Sequence, residues 1–262
     1  MSLRVYTDMC GRKVEIPFPP QRIVSVVPSQ TELLFDLGLY KEVVGITKFC
    51  VHPDEWFRTK TRVGGTKQLH LDKIKELNPD IIIANKEENT KEQIEVLAAE
   101  FPVWISDIKN IPDALEMIRT IGQIVDKELV ASEIARKVET GFVQFARAGE
   151  SKRVAYFIWR GPWMSAGGDT FINNIIERIG WRNVFVDKTR YPEVSKEELA
   201  KAQPELVLLS SEPFPFKEKH IDEIKAVVPG ANVILVDGEM FSWYGSRMLK
   251  AIPYLADLLK ER

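Results

Sequence analysis

Two stretches of this sequence repeat one pattern: LDKIKELNPDIII at residues 71–83 and VSKEELAKAQPELVL at residues 194–208. Each begins as a short amphipathic helix, reaches a proline that ends the helix, and continues as an aliphatic run. Such a run is typical of a strand in a parallel sheet covered on both faces. The repeat, once in each half of the chain, predicts two similar α/β lobes, an arrangement that commonly holds a ligand between its halves.

The flanking segments extend this prediction within each lobe. Residues 22–28 read as a buried strand before a helix over residues 31–37, and Ser29 and Glu32 are predicted to form a capping box there. In the second half, residues 153–159 read as a strand. The turn at residues 167–170 opens a further helix, and we interpret it as a tight turn with an N-cap, the alternative being an anion-binding turn.

The middle of the chain has a different period. Apolar residues recur every three or four positions over residues 111–124 and again over residues 127–145, which predicts two amphipathic helices. The second is long enough to connect two lobes. We therefore expect an α/β fold of two Rossmann-like lobes with parallel sheets joined by one long helix. The expected divisions are an N-terminal lobe over 1–125, a connecting backbone helix over 126–150 and a C-terminal lobe over 151–262.

Composition excludes several classes of function. The 262 residues carry a formal net charge of −2, which argues against a nucleic-acid-binding protein, and no apolar run is long enough to span a membrane. The first residues lack the apolar core of a signal peptide. Two locations stay open: periplasmic or lipid-anchored at the cell surface with the signal segment absent from this chain, or cytoplasmic if Met1 is the true start. Cys10 and Cys50 either pair in an oxidising compartment or are unrelated.

Motifs for catalysis and metal binding are absent from the sequence. It contains no phosphate-binding loop, no dinucleotide-binding Gly-x-Gly-x-x-Gly and no Gly-x-Ser-x-Gly elbow. His52, His70 and His220 are too widely spaced to match a zinc motif, and a zinc or manganese site would require His52 and His70 to converge with carboxylates. We therefore predict no catalytic residues, no metal ligands and no enzymatic activity.

Aromatic residues follow the predicted strands, and one, Tyr191, lies just before the second repeat. They are Phe49, Trp159, Trp163, Tyr191, Phe241, Trp243 and Tyr244. Ligands of open parallel sheets bind at the carboxyl ends of the strands, and aromatic faces there suit a large, flat or apolar ligand. Packing within the core is the alternative for each residue. Arg160, Arg190 and Arg247 could neutralise an anionic ligand.

Taken together, residues 8–17, 20–25 and 28–38 resemble the beginning of class III (helical-backbone) substrate-binding proteins, which serve ABC importers of cobalamin, iron siderophores and haem. The resemblance continues through Gly64-Gly65, Gly167-Gly168 and both repeats, so it covers essentially the whole chain. It implies a monomeric binding protein without intrinsic cofactor that delivers a metal chelate, either a corrinoid or a ferric siderophore, to an ABC permease.

The resemblance also implies roles for individual residues. The layout is most similar to that of cobalamin-binding members, which puts Phe49, Thr66, Asn85, Trp163, Tyr191 and the 241–244 segment around the inter-lobe cleft. Thr66 and Asn85 stand where cobalamin-binding members have tryptophans, so the identity of the chelate stays open. Asp72 and Glu197 match the acidic residues that meet arginines of the permease. The alternative function is a cytoplasmic two-lobed α/β enzyme or metallocluster protein.

Overall fold

A computed structural model describes residues 2–147 and 151–260 of the chain. These residues form two compact units, each with its own parallel sheet. Of the described residues, unit 1 contains 2–108, 112–137 and 244–247, and unit 2 contains 109–111, 138–147, 151–243 and 248–260.

Unit 1 opens with an antiparallel hairpin of β1 (Ser2–Thr7) and β2 (Lys13–Phe18). Its parallel sheet consists of β3 (Ile23–Ser25), β4 (Val43–Ile46), β5 (Thr61–Arg62), β6 (Ile81–Asn85) and β7 (Val103–Ser106), in the order β5-β4-β3-β6-β7. The helices along this part of the chain are α1 (Pro28–Asp36), α2 (Asp54–Thr59), α3 (Leu71–Leu77), α4 (Lys91–Ala98) and α5 (Ile111–Ile124). Next, α6 (Glu128–Val143) leads from unit 1 into unit 2.

Unit 2 continues from α6 through a 3₁₀ turn at Gln144–Arg147. Its strands are β8 (Arg153–Trp159), β9 (Met164–Ser165), β10 (Arg182–Asn183), β11 (Leu206–Ser210) and β12 (Asn232–Val236). The order β10-β8-β11-β12 is parallel throughout, and β9 pairs antiparallel with β8. The helices are α7 (Phe171–Arg178), α8 (Lys196–Ala202), α9 (Glu218–Lys225), α10 (Glu239–Ser242) and α11 (Met248–Lys260).

The repeated sequence pattern forms the same structure in both units. In each, a seven-residue helix, α3 or α8, precedes a central strand, β6 or β11, in which all five residues are buried. Asn78 and Gln203 end the two helices with φ of 42° and 45° in the left-handed region. A proline follows each, and since proline disfavours continued helix, the chain turns directly into the strand.

The predicted fold class is confirmed, since both sheets are parallel and α6 carries the chain from one unit to the other. The predicted helix over residues 127–145 is present as α6 and the 3₁₀ turn, whereas residues 148–150 of the expected connector lie outside the described residues. Gly141 does not interrupt α6. A Cβ at Gly141 would lie 2.3 Å from Cδ1 of Ile252, so the glycine lets α11 approach closely.

The predicted capping box at the first helix is wrong. Helix α1 begins at Pro28, and its N-cap Val27 makes no side-chain capping bond. Proline is favoured at the first helical position because its fixed φ suits the helix and it lacks an amide hydrogen that would need a partner. This start puts Ser29 inside the first turn, and the carboxylate of Glu32 pairs instead with Arg247.

Candidate ligand-binding surfaces

In unit 1, three predicted site residues lie at the carboxyl ends of sheet strands. Phe49 follows β4, Thr66 follows β5, and Asn85 is the last residue of β6. Because β4, β5 and β6 are parallel, their carboxyl ends lie along one edge of the sheet. The structure therefore assembles these three residues on the carboxyl edge of unit 1, as their sequence positions predict.

Phe49 offers the most surface of the three. Half of it (50%) is exposed, and its ring contacts the loop after β5, where a Cβ at Gly65 would lie 3.1 Å from the ring carbon Cε2. Glycine at position 65 thus makes room for the ring. The ammonium of Lys48 lies 5.1 Å from the ring centroid. The Phe49 ring therefore packs on the loop at Gly65 with one part and exposes a large aromatic surface to solvent with the other.

Asn85 and Thr66 contribute to this edge in a different way. The side chain of Asn85 donates to the carbonyl and hydroxyl oxygens of Ser106 and accepts the backbone amides of Glu87 and Glu88. Asn85 is buried, and so is Thr66. With its polar atoms already bonded to the protein, the Asn85 side chain shapes the edge and offers little free hydrogen-bonding capacity.

Asn89 joins the strand-end loops, and sequence reasoning missed it. Its side chain is buried, accepts the backbone amide of Asn85 at 2.8 Å, and donates to the carbonyl oxygens of Val26 and Thr66, each at 3.1 Å. One amide therefore fixes the loops after β3, β5 and β6. The available signal was a second asparagine four residues after Asn85, since asparagine commonly bonds to nearby backbone groups in turns.

A buried polar cluster lies at the same edge. The hydroxyl of Thr31 donates to Ser25 Oγ at 2.7 Å and lies 3.1 Å from Cys50 Sγ, while Thr47 Oγ1 lies 3.2 Å from the same sulfur. Burial raises the pKa of the Cys50 thiol. Cys50 is buried and Cys10 exposed, and both are free thiols. Cys50 thus serves as a packed, hydrogen-bonded side chain.

In unit 2, the predicted residues Trp159 and Trp163 belong to a connected group of rings. We name it the unit 2 aromatic cluster, and its members are Phe157, Trp159, Trp163, Phe214 and Phe216. Trp163 stacks on Phe216 with centroids 5.7 Å apart, and Trp159 meets Phe214 edge-on at 5.7 Å. Trp159 is 39% exposed. The cluster lies at the carboxyl ends of β8 and β11 and carries aromatic surface into solvent.

Phe214 and Phe216 are members of this cluster that sequence reasoning missed. They stand in the segment Glu212-Pro213-Phe214-Pro215-Phe216, directly after β11 and Ser211. The sequence did contain a signal for these two residues, because their segment directly follows the buried strand of the second repeat. Prolines alternating with phenylalanines in such a position mark a short extended loop whose rings need partners.

The other predicted aromatic residues are less accessible. Phe241 has no exposed surface and packs against Tyr156 and Tyr254 with centroids 5.1 and 6.4 Å apart, so it serves the core of unit 2. Trp243 is buried, and its indole N–H donates to Glu212 Oε1 at 2.8 Å. Tyr191 is half-buried.

Tyr244 is also buried, but it belongs to unit 1. The 241–244 segment is therefore divided between the two units, with Phe241 and Trp243 in unit 2.

Two arginines considered as ligand counter-charges are bound to carboxylates of the protein. Arg160 Nε donates to Glu223 at 2.7 Å, and Arg247 Nε donates to Glu32 at 2.7 Å within unit 1. The Arg247–Glu32 pair is almost completely buried. Its charges are therefore committed to holding the 244–247 segment on α1.

The turn at residues 167–170 is structural. The amides of Gly167 and Gly168 donate to the carbonyl oxygens of Arg190 and Lys188 at 2.7 and 2.8 Å, so they are not free for an anion. Thr170 Oγ1 accepts the amide of Asn173 and caps α7. The interpretation as a turn with an N-cap is confirmed.

Asp72 and Glu197 occupy equivalent positions. Each is the second residue of its helix, α3 or α8, and each is exposed. Hydrogen bonds from its own backbone amide and from the Ser195 hydroxyl lower the pKa of the Glu197 carboxyl. In each unit, the helix that precedes the central strand thus begins with an accessible carboxylate.

Within residues 2–147 and 151–260, no group of three or more His, Cys, Asp or Glu side chains is placed to hold a metal ion. Among those same residues, no helix combines the length and apolarity needed to cross a membrane.

Comparison with known proteins identifies the family of the chain and known structures with a similar fold. Residues 23–231 match the family described as periplasmic binding protein. The vitamin B12-binding protein of Pectobacterium carotovorum is 25% identical over 248 residues, which cover 92% of this chain and 88% of that protein. An ABC transporter substrate-binding lipoprotein of Bacillus subtilis is 24% identical, over 95% and 83% of the two chains. The crystal structure of the periplasmic vitamin B12 binding protein BtuF of Vibrio cholerae has a TM-score of 0.79 and 22% identity, with 94% and 98% of the two chains covered.

The family match covers most of the chain, and these relatives are binding proteins for transport rather than enzymes. The expectation of a non-enzymatic protein is thereby confirmed, as is the resemblance to class III substrate-binding proteins. The chain therefore belongs to the periplasmic binding protein family and is a substrate-binding protein of the ABC-importer type.

Proposed function

We propose that this protein binds a metal chelate, a corrinoid or a ferric siderophore, and delivers it to the permease of an ABC importer. The observation that carries the proposal is the pair of aromatic surfaces, Phe49 in unit 1 and the unit 2 aromatic cluster, each at the carboxyl edge of a parallel sheet. Wide aromatic faces suit a large ligand with flat or apolar parts. The vitamin B12-binding relatives support a ligand of this class.

The proposed ligand contacts are the accessible members of the predicted set. Phe49 and Trp159 supply exposed rings, and Tyr191 and Trp163 are half-buried. Thr66, Asn85, Phe241, Trp243 and Tyr244 are buried, and we assign them to the layer that supports the contact residues. In this proposal Thr66 and Asn85 add no aromatic ring to the carboxyl edge of unit 1, so Phe49 is the main aromatic contact there.

A matched pair of variants tests the proposed contact at Phe49. Phe49 and Tyr40 are almost equally exposed, at 50% and 51%, but Tyr40 lies between the end of α1 and the start of β4, at the opposite edge of the sheet. Phe49→Ala should weaken binding by about 1–3 kcal/mol, the loss typical of an aromatic contact, whereas Tyr40→Ala should leave affinity unchanged. Tryptophan-fluorescence titrations with cyanocobalamin, ferrichrome and haemin measure this. Equal effects of the two variants would refute the assignment.

For delivery, we propose that Asp72 and Glu197 dock the protein on permease arginines. Exposed carboxylates at equivalent positions of the two units suit charge-assisted pairs that set orientation. Asp72→Lys combined with Glu197→Lys should abolish uptake through the cognate permease while chelate affinity stays the same. Glu76→Lys, one turn further along α3 and also exposed, is the charge-matched control for the single change Asp72→Lys. Normal uptake by the double variant would contradict docking.

The remaining assignments follow from this function. We propose that the protein works as a monomer in the periplasm or anchored by lipid at the cell surface, where an importer receives its substrate. Functionally, residues 1–125 would form the N-terminal lobe, 126–150 the backbone helix and 151–262 the C-terminal lobe. Fractionation of cells producing the full-length gene product tests the location, and recovery in the cytoplasm would contradict it.

A further inference from the structure

Unit 2 contains a cavity of about 350 Å³ whose lining includes Phe157 and Trp163 of the unit 2 aromatic cluster but not Trp159. We name it the α8–α9 cavity. Its lining residues are Phe157, Arg160, Trp163, Val194, Ser195, Lys196, Leu199, Glu223, Ile224, Ala226 and Val227. All of them belong to unit 2. They include residues of α8 and α9, Arg160 directly after β8, and Ala226 directly after α9. The volume lies within the range of small-molecule pockets, roughly 300–1,000 Å³.

The wall of the cavity is aromatic and well supported. Trp163 is half-buried, stacks on Phe216 with an interplanar angle of 19°, and meets Phe157 edge-on with centroids 5.4 Å apart. Leu199 and Ile224 add buried aliphatic surface from α8 and α9. Because neighbouring rings hold the Trp163 indole, it provides an ordered face on which a small planar ring can pack.

Charged groups in the lining leave an excess of positive charge. Arg160 Nε donates to Glu223 Oε2 at 2.7 Å, and the guanidinium lies 5.9 Å from the Trp163 ring centroid. This bond lowers the pKa of the Glu223 carboxyl, so Glu223 is ionised at neutral pH. Lys196, exposed at the start of α8, supplies a second cation. The lining thus contains two cations and one carboxylate, a net charge of +1 that suits one further negative charge.

We propose that the α8–α9 cavity binds a small aromatic carboxylate, with its ring on Trp163 and its carboxylate near Arg160 and Lys196. The site shares Trp163 with the proposed chelate contacts but takes a different ligand, so it does not require that a chelate binds. Arginine suits the role because a planar guanidinium can keep its bond to Glu223 while other N–H groups donate to a ligand carboxylate. Apolar walls and a cationic opening together select against neutral and cationic molecules of the same size.

The test compares phenylacetate with its neutral isostere phenylacetamide by isothermal titration calorimetry on the full chain. We expect phenylacetate to bind at least about tenfold more tightly, which corresponds to about 1.4 kcal/mol. Arg160→Gln should reduce this preference to about twofold or less. Equal binding of the two probes by the unmodified protein, or no binding of phenylacetate at about 10 mM, would overturn the proposal.

A second pair of variants locates the binding. Ala226 is the exposed C-cap of α9, and Ala99 is the exposed C-cap of α4, with similar backbone angles. Ala226→Trp should fill the α8–α9 cavity and abolish phenylacetate binding, whereas Ala99→Trp should not change it. Phenylacetate binding that survives Ala226→Trp would place the site elsewhere. Arg160→Gln, at a residue outside the proposed chelate contacts, should leave the cyanocobalamin, ferrichrome and haemin titrations unchanged, which separates this site from the proposed function.

Discussion

The buried ion pair between Glu32 and Arg247 gives a quantitative test of how the 244–247 segment is held in unit 1. Both side chains are only 5% exposed, and Arg247 Nε lies 2.7 Å from Glu32 Oε2. Removing one member of a buried pair typically costs about 3–5 kcal/mol, because the other charge is left without a counter-charge. Glu32→Gln keeps an oxygen acceptor worth about 1 kcal/mol. We therefore expect Glu32→Gln to lower the free energy of unfolding by about 2–4 kcal/mol.

A double-mutant cycle separates the pair from simple packing. Glu32→Leu alone and Arg247→Met alone each leave one charge buried and should each cost about 3–5 kcal/mol, whereas the double variant Glu32→Leu with Arg247→Met removes both charges and should be much less destabilising than the sum of these two single changes. Urea unfolding followed by far-ultraviolet circular dichroism measures the four free energies. Additive effects, or single variants that each cost less than about 0.5 kcal/mol, would refute the argument that the pair is desolvated and coupled.

Three further predictions concern single positions. Burial lowers the pKa of His220, so the stability that the neutral imidazole contributes is fully present above the unfolded pKa of about 6.5 and is lost as pH falls through the folded pKa. His220→Gln keeps an acceptor at this third position of α9 and should make the free energy of unfolding in urea less dependent on pH between about pH 5 and 7. An unchanged pH dependence would count against this prediction. Gly64→Ala should lower the free energy of unfolding by about 1–3 kcal/mol, because φ is +102° and a Cβ would lie 2.4 Å from the carbonyl oxygen of Gln68. Gly230→Ala, with open space around it, should have no such effect. Equal melting temperatures of the two variants would contradict this. Phe241→Ala should cost about 3–5 kcal/mol in urea unfolding as a fully buried ring, and a loss below about 1 kcal/mol would indicate a site without core packing.

The architecture could be predicted wherever the deciding pattern is local. In the two repeats, a short amphipathic helix, a proline and an aliphatic run lie within about a dozen residues, so periodicity alone identifies α3–β6 and α8–β11. The hairpin of β1 and β2 was not predicted. In β2 the alternation of Val14 and Ile16 with exposed residues was readable, but the apolar residues of β1, Leu3 and Val5, are exposed, so burial does not distinguish its two faces.

The candidate site was less predictable, because its key partners are distant in sequence. Glu32 suggested a capping box from its spacing to Ser29, yet its partner is Arg247, 215 residues away. Trp163 was identified from its position after a strand, but its stacking on Phe216 depends on how the loops after β8 and β11 meet. Sequence position thus indicates which residues lie at the strand ends. Tertiary contacts decide which of them stay exposed.

Native mass spectrometry can detect whether this substrate-binding protein carries a metal chelate. The protein is mixed separately with cyanocobalamin, ferrichrome and haemin under non-denaturing conditions, with Phe49→Ala and Tyr40→Ala measured in parallel. We expect a 1:1 complex with at least one of the three chelates, weakened by Phe49→Ala and unchanged by Tyr40→Ala. Unliganded protein with all three chelates, or complexes of equal abundance for both variants, would contradict it.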